Sequence, residues 1–170
     1  MREGLAMITE ERKFNGMFPM ANLTFNTCIC NLDNYKKFGV LSTSLMNKAA
    51  NREIIKMHTK CNGYNDLISS LSGGNQQKVI IGKWLERKPD LLLLDDPTRG
   101  IDVGAKYEIY QLIIQMAKKG TSVIVVSSEM PEILGITNRI AVLSNGRLAG
   151  IVNTKETNQD ELLRLSTKYL

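Results

Sequence analysis

Apolar residues along this chain follow two patterns. Continuous apolar runs at residues 91–94 and 123–126 have the length of strands, and such runs are typical of strands that are buried on both faces. Apolar residues with helical spacing occur at 44–60, 76–86 and 107–117. Buried strands that alternate with amphipathic helices predict a parallel α/β sheet with flanking helices.

The helical stripes also predict which side chains face the core. We expect the inward positions to be Met46, Ala50, Ile54 and Met57, then Val79, Ile80 and Trp84, and finally Tyr107, Tyr110, Ile113, Ile114 and Ala117. The first of these helices should begin at Ser44, and Ser72 should cap the second.

The two ends of the chain carry shorter elements. Residues 5–8 predict a strand, residues 10–19 a polar loop, and residues 22–35 a helix. Towards the C-terminus, Asn145-Gly146 between two apolar segments predicts a β-hairpin. Asn158 then predicts the start of a final helix.

Composition narrows the class of protein. The chain has 170 residues, of which 43% are hydrophobic and 23% charged, as in a globular domain with its own core. There is no apolar run long enough for a membrane-spanning helix and no signal peptide, so we expect a cytosolic chain. The net charge of +5 is scattered along the sequence, which favours a solvated surface over a nucleic-acid site. Three cysteines do not suggest a disulfide framework.

Two carboxylates follow the first apolar run. Asp95 and Asp96 come at the end of the predicted strand, and the carboxyl edge of a parallel sheet is where ligands bind. Mg²⁺ bound to nucleotide phosphates is a natural partner for such carboxylates. A pair of acids that faces solvent or caps a helix is the alternative interpretation.

A glycine-rich segment precedes the second helix. Residues Leu71-Ser72-Gly73-Gly74-Asn75-Gln76-Gln77 combine a hydroxyl, two glycines and a helix N-terminus. Glycines allow close backbone approach, and free N–H groups at a helix start favour an anion. The segment therefore predicts a phosphate-binding surface, with a plain linker turn as the alternative.

The order of these segments resembles that of ATP-binding cassette (ABC) ATPases. Leu71–Gln77 is similar to their signature motif, Leu91–Asp96 to the Walker B strand, Pro97–Asp102 to the D-loop, and Ser127–Glu129 to the switch. Asn75, together with residues 98–106 and 127–132, resembles the second cassette of tandem bacterial monosaccharide importers. Residues 82–85 and 151–165 are similar to the galactose/methyl-galactoside type of that family.

The resemblance implies a P-loop NTPase-like parallel sheet, incomplete at the N-terminus, with a C-terminal β-hairpin and helix. Within one partial cassette covering 1–170, it implies a Q-loop region at 4–20. A helical subdomain with the signature should cover about 22–88, and the core should continue from Walker B over 89–170.

The resemblance also implies roles for single residues. Asp95 would bind Mg²⁺, and Asp96 would be an atypical general base, one methylene shorter than the usual glutamate. Glu10 takes the Q-loop position, and Ser128 takes the switch position where a histidine is usual. The D-loop residue Asp102 and the Q-loop residue Glu10 would also bind nucleotide. The residues that would contact ATP held by another cassette are those of the signature: Leu71, Ser72, Gly73, Gly74, Asn75 and Gln76.

One family element is missing from the sequence. The P-loop pattern G-x-x-x-x-G-K-[ST] does not occur, because the sole Gly-Lys pair, Gly82-Lys83, lacks the preceding glycine and is followed by tryptophan. We therefore expect a fragment or truncated product that is not a competent ATPase alone. Its sheet should keep an uncovered edge and an exposed apolar face, with 91–94 and 123–126 as the exposed strands.

The implied function is that of the ATP-binding subunit of a sugar importer, peripheral to the cytoplasmic face of the membrane, with ATP and Mg²⁺. Its implied partners are a second ABC cassette and, through residues 10–19, a membrane permease, with a sugar-binding protein as an indirect partner and no nucleic acid. Two alternatives stay open: a non-catalytic truncated cassette that only dimerises with an intact one, and a soluble ABC ATPase of another pathway.

Overall fold

The computed structural model describes residues 4–170, which form two compact units, one ending at Ile124 and the other comprising Val125–Leu170. The strands are β1 (Leu5–Ile8), β2 (Lys36–Lys37), β3 (Val40–Leu41), β4 (Leu91–Asp95), β5 (Ser122–Val126), β6 (Arg139–Ser144) and β7 (Arg147–Asn153). The α-helices are α1 (Leu23–Cys28), α2 (Thr43–Lys56), α3 (Gly73–Leu85), α4 (Val103–Lys118), α5 (Met130–Ile136) and α6 (Gln159–Ser166). Within residues 4–170, no helix is both long and apolar enough to cross a membrane.

The main sheet has the strand order β1-β4-β5. Strands β1 and β4 are parallel, with Leu5 opposite Leu91 and Ile8 opposite Leu94. This confirms the predicted α/β class, and residues 5–8 form a strand as expected. The residues that follow β4 and β1 consequently emerge at the same edge of the sheet.

The two faces of this sheet differ in burial. Side chains at alternate positions, such as Ile8, Leu92 and Leu94, are almost completely buried. Those on the opposite face are not, since Leu5 is 45% exposed and Ile124 is 50% exposed. The prediction that these strands are buried on both faces is therefore wrong for this chain, whereas the expected exposed apolar face is confirmed. The exposed face is formed by every second side chain of each strand, because successive residues of a strand point to opposite faces.

The helical part of the first unit contains α1, α2 and α3. Residues 22–35 are helical as predicted, as α1 followed by 3₁₀ turns at Ile29–Tyr35. Helix α2 begins at Thr43 rather than Ser44, because the Ser42 hydroxyl accepts a hydrogen bond from the backbone N–H of Leu45 and caps the helix.

Residues 10–19 are more ordered than the predicted loop. They include a π-helical turn, Arg12–Gly16, in which the N–H of Asn15 donates to the carbonyl of Glu11 at 2.9 Å. Gly16 and Pro19 predicted irregular backbone in this segment. Gly16 is instead the last residue of the turn, and Pro19 lies after it.

Some helix faces differ from the predicted ones. In α4 the buried residues are Ile109, Ile113 and Met116, whereas Tyr107 is 64% exposed. Helix α2 buries the carboxylate of Glu53, which lies 3.1 Å from the ammonium group of Lys56. Trp84 is only half-buried. Hydrophobicity alone thus misplaced one aromatic residue and missed one charged residue.

The second unit has its own small core. Strands β6 and β7 form an antiparallel hairpin, and both Asn145 and Gly146 have positive φ, at 45° and 73°, as a tight hairpin turn requires. The Asn158 side chain accepts from the N–H of Glu161 at 3.0 Å and caps α6. Ile140, Val142 and Leu162 form the core. The predicted hairpin and final helix are confirmed.

Candidate functional site

The signature segment forms the first turn of α3. The helix begins at Gly73, three residues before the predicted start, and the N–H of Gln76 donates to the carbonyl of Ser72 at 2.9 Å. Ser72 is the N-cap residue and is exposed. The free N–H groups of the first helical turn therefore begin immediately after an exposed hydroxyl.

Both signature glycines are closely packed, and at Gly74 the packing excludes any side chain. A Cβ at Gly74 would overlap the Cβ of Ala105 at the start of α4. A Cβ at Gly73 would lie 2.9 Å from the guanidinium of Arg12 and 3.5 Å from the carbonyl oxygen of Gly100. The signature thus packs directly against the D-loop and the first turn of α4.

The Ser72 hydroxyl does not cap the helix backbone, contrary to our expectation. It accepts a hydrogen bond from the side-chain amide of Asn75 at 2.9 Å. The side-chain oxygen of Asn75 in turn accepts from the backbone N–H of Lys60 at 2.9 Å. The Ser72 hydroxyl is therefore bonded to the side chain of Asn75 and not to a backbone N–H of the helix.

Gln76 points the other way. Its side chain is buried, and its amide donates to the carbonyl oxygens of Ile68 at 3.2 Å and Leu71 at 3.0 Å. These bonds hold the segment before α3 against the helix. Leu71 itself is half-buried.

The predicted Walker B carboxylates lie at the end of β4. Asp95 is the last residue of the strand, and both Asp95 and Asp96 are half-buried. Asp96 has a φ of 40°, a left-handed conformation that aspartate tolerates better than larger residues. The N–H of Arg99 donates to the carbonyl of Asp96 at 3.1 Å, so the chain turns sharply after the strand.

This carboxylate pair fits a nucleotide-bound Mg²⁺. Residues 4–170 contain no cluster of three or more histidine, cysteine or acidic side chains that could hold a metal by themselves. Mg²⁺ in nucleotide sites needs only one or two carboxylates, because phosphates and water complete its coordination. Asp95 at the sheet edge meets that requirement.

The D-loop connects Walker B to α4. Thr98 is 1% exposed, and Gly100 has a φ of 66°, which glycine adopts without strain. The Asp102 carboxylate accepts from the N–H of Ala105 at 2.9 Å and caps α4. Asp102, predicted to lie near nucleotide, thus has a structural partner in this chain.

Residues 10–12 bind the D-loop. The Glu10 carboxylate pairs with the guanidinium of Arg99. Arg12 donates to the carbonyl oxygens of Arg99 at 2.8 Å and Gly100 at 3.4 Å, and its guanidinium also lies beside Gly73. Arg12 therefore connects the predicted Q-loop region, the D-loop and the signature.

Sequence reasoning missed Arg12. It lies beside Lys13 in a short run of charged residues, a pattern that is typical of solvated surface. Lys13 is exposed whereas Arg12 is half-buried. No local pattern in the sequence distinguishes the half-buried Arg12 from the exposed Lys13. The role of Arg12 can be recognised only from its contacts with a distant loop.

Helix α3 also buries two cations. The Lys83 ammonium donates to the carbonyl of Gly16 at 2.5 Å, and burial lowers the pKa of Lys83. The Lys78 ammonium lies 2.5 Å from the carboxylate of Glu108 and 3.0 Å from the carbonyl of His58. Each lysine thus holds a neighbouring segment against the signature helix.

An apolar surface lies around the segment that begins at Glu10. Phe14 is 85% exposed and Met20 is 86% exposed. The rings of Phe18 and Phe25 pack edge to face, with centroids 5.3 Å apart, and both remain accessible. We call Phe14, Phe18, Met20 and Phe25 the aromatic patch. Exposed apolar patches are typical of interaction sites.

The predicted switch lies in the second unit. Ser128 is exposed. Its neighbour Ser127 organises the local chain, because the Ser127 hydroxyl accepts from the N–H of Glu129 at 3.0 Å and donates to the carboxylate of Glu132. Glu132 lies in the first turn of α5, so the switch segment is attached to that helix.

Comparison with known families decides the assignment. The family model for ABC transporters matches residues 1–99. The chain belongs to the ABC transporter family. The family resemblance noted in the sequence is confirmed.

Among curated relatives of this ABC chain, the galactose/methyl galactoside import ATP-binding protein MglA of Treponema denticola is 71% identical over 170 residues. That of Treponema pallidum is 66% identical, and that of Vibrio cholerae is 55% identical over 171 residues. Each match covers 100% of this chain and 34% of the relative. The chain spans about a third of the length of these relatives.

Solved structures share the fold. The ATP-binding cassette MJ0796, in a dimeric post-hydrolysis state bound to ADP and Pi, superposes with a TM-score of 0.72 at 24% identity. That match covers 90% of this chain and 64% of the other. A second dimeric structure of the same bacterial ABC transporter cassette gives a TM-score of 0.73 at 23% identity. These likenesses support the P-loop NTPase-type α/β fold.

Proposed function

We propose that this chain is the C-terminal part of the ATP-binding subunit of an ABC sugar importer, which couples ATP hydrolysis to carbohydrate uptake. The observation that carries the proposal is the exposed Ser72 at the start of α3, followed by Gly73, which packs against Gly100 of the D-loop. Its support is the 71% identity, over the whole chain, to a galactose/methyl galactoside import ATP-binding protein.

The signature serves a nucleotide held by another cassette. Ser72 and the N–H groups that follow it form an anion-binding helix start, and the packing of Gly73 and Gly74 keeps side chains out of the way. In a head-to-tail pair of cassettes, Ser72 donates to the γ-phosphate bound at the P-loop of the partner cassette. Asp102 and Gln76 support this surface by holding α4 and the segment before α3.

The carboxylates serve the nucleotide of their own cassette. Asp95 holds the Mg²⁺ that neutralises phosphate charge, and Asp96 orients the attacking water as a weak general base. Ser128 at the switch position cannot act as a cationic sensor, unlike histidine. Glu10 is engaged with Arg99. This site is consequently the weaker one of the pair.

The aromatic patch is the contact for the membrane permease. Phe14, Phe18 and Met20 lie on or just after the segment that begins at Glu10, and Phe25 of α1 packs against Phe18. That segment binds the D-loop through Glu10 and Arg12, and Lys83 of the signature helix donates to its Gly16 carbonyl. The subunit is thereby peripheral to the cytoplasmic face of the membrane, and a sugar-binding protein acts on it indirectly. No nucleic acid is involved in this function.

Ser72→Arg and Asp96→Asn test the roles of the two sites. In the full-length subunit with its permease, Ser72→Arg should abolish most steady-state ATP hydrolysis, because the bulky cation blocks closure on the phosphate. Asp96→Asn should cost far less, since its site already lacks the switch histidine. Ser69→Arg is the matched control, because Ser69 is exposed just before the signature and should retain activity.

Equal loss in Ser72→Arg and Asp96→Asn, at equal expression, would show that both sites hydrolyse ATP and that the asymmetry is wrong. Loss of activity in Ser69→Arg as well would show that the effect of arginine is not specific to the signature.

A second candidate concerns the 170-residue chain by itself. Its sequence lacks the P-loop pattern, which favours a non-catalytic cassette that dimerises with an intact one. Mixing the purified chain with an intact cassette and Mg-ATP tests this idea. Co-elution in size-exclusion chromatography without added ATPase activity is the expected result, and separate elution contradicts it.

A further inference from the structure

Asn75 occupies an unusual place in the hydrogen bonding of the signature. It is the third residue of α3, where a side chain commonly reaches back to the backbone N–H of the N-cap residue. Here its amide instead donates to the side-chain oxygen of Ser72 at 2.9 Å. The two side chains are therefore bonded to each other at the exposed start of the helix.

The orientation of the Asn75 amide follows from its second partner. The backbone N–H of Lys60 is 2.9 Å from the Asn75 side-chain oxygen. A backbone N–H can only donate, so the atom that faces it must be the oxygen. A flipped amide would set two donors against each other. The NH₂ group is consequently the one that faces Ser72.

The backbone that orients Asn75 is itself held. Lys78 is buried in α3, and its ammonium group donates to the carbonyl of His58 at 3.0 Å and pairs with Glu108. His58 lies two residues before Lys60 and has a φ of 49°. The turn that presents the Lys60 N–H is thus attached to the same helix that carries Asn75.

The bond from Asn75 determines what the Ser72 hydroxyl can do. A hydroxyl has one hydrogen and two acceptor lone pairs. Because the Asn75 amide supplies a hydrogen to one lone pair, the hydrogen of Ser72 must point elsewhere. Ser72 is exposed and makes no bond to the helix backbone, so this hydrogen is directed outwards.

We infer that Asn75 is a positioning residue that makes Ser72 a hydrogen-bond donor to an anionic phosphoryl oxygen. The chain of donors runs from the Lys60 N–H to Asn75, from Asn75 to Ser72, and from Ser72 to the phosphate. Each donor polarises the next in the same direction. This inference rests on the proposed function, because the phosphate belongs to ATP held by a partner cassette.

The test uses the full-length subunit and three variants. Ser72→Ala removes the donor, Asn75→Leu removes the amide at similar volume, and the third variant combines both. The readouts are the binding of a non-hydrolysable ATP analogue and the steady-state kcat. Each single change should weaken analogue binding at one of the two sites, and lower kcat, by about tenfold. The double variant should lose no more than Ser72→Ala, because Asn75 acts through Ser72.

Asn75→Asp separates positioning from structural support. Aspartate still accepts from the Lys60 N–H but gives Ser72 an acceptor instead of a donor, so the hydroxyl turns away from the phosphate. We expect an unchanged thermal midpoint, because the Lys60 bond is kept, together with a loss of analogue binding at least as large as that of Asn75→Leu.

Three outcomes overturn the inference. The first is near-normal binding and kcat in Asn75→Leu and Asn75→Asp while Ser72→Ala is impaired, which leaves the proposed function intact. The second is a double variant whose losses multiply, which means that Asn75 acts independently of Ser72. The third is an unimpaired Ser72→Ala, which also contradicts the proposed role of the signature.

Discussion

Gly74→Ala adds one methyl group at the second residue of α3. The new Cβ would meet the Cβ of Ala105 closer than real Cβ atoms approach, and it would lie 3.4 Å from the Cγ2 of Ile101. Carbon atoms prefer a separation of about 3.5–4.0 Å. A Cβ cannot rotate away, because its position is fixed by the backbone. Helices α3 and α4 must therefore separate locally by about 1 Å.

The energetic cost follows from this displacement. Overpacking of a close-packed contact costs about 1–3 kcal/mol of folding free energy. Part of this cost is offset, because alanine is favoured over glycine in a helix by roughly 1 kcal/mol. We expect a net loss of up to about 2 kcal/mol. For a domain of this size, each kcal/mol lowers the thermal midpoint by about 2–4 °C.

Differential scanning calorimetry of the full-length subunit measures this change. Gly63→Ala is the matched control, because a Cβ there meets nothing within 4 Å, and it should leave the midpoint unchanged or raise it. Ala105→Gly in the Gly74→Ala background should recover part of the loss. The reasoning is refuted if Gly74→Ala behaves like Gly63→Ala, or if the effects at positions 74 and 105 are additive.

Three further predictions concern the chain alone and its charges. The isolated 170-residue chain should bind Mg-ATP weakly because it lacks the P-loop pattern, and a low-micromolar dissociation constant in isothermal titration contradicts this. It should also associate through the exposed sheet face that contains Leu5 and Ile124, whereas a sharp monomer peak in size-exclusion chromatography at all concentrations argues against association. Lys78 lowers the pKa of Glu108 through a hydrogen bond and its charge, so the stabilisation by this pair is present above the unfolded-state pKa and is lost as pH falls through the lower folded-state pKa. Acid titration of the thermal midpoint should be shallower in Glu108→Gln, and an identical profile contradicts the assignment.

The sequence was sufficient for the order of elements and for the motifs. Strand β4, the hairpin at Asn145-Gly146 and the cap at Asn158 all lie where local pattern places them, because turn chemistry and apolar runs are local signals. The signature was recognisable as a phosphate-binding helix start because glycines and a hydroxyl at that position have a direct physical meaning.

Contacts between residues that are distant in the sequence could not be predicted from these local patterns. Lys78 and Lys83 look like ordinary solvated residues in a helix, yet both are almost completely buried, because distant carbonyls and a carboxylate compensate their charges. Ser72 was expected to cap its helix, and the competing donor, Asn75, is oriented by a backbone group fifteen residues away. A single sequence does not indicate which of several possible partners a side chain such as Ser72 will bond to.

Several departures from local rules involve the signature helix, the D-loop and the segment that begins at Glu10. Arg12 is half-buried between two loops, Lys78 and Lys83 are charges inside a packed helix face, and Asp96 adopts a positive φ. Each costs free energy in isolation and persists only because neighbouring segments over-determine it. Arg12, Lys78 and Lys83 connect the signature helix to the D-loop, to α4 and to the segment below the aromatic patch. Such departures are expected where a chain is selected for the position of a few groups rather than for stability alone, and here Arg12 lies beside Gly73 while Lys78 holds the turn that precedes Lys60.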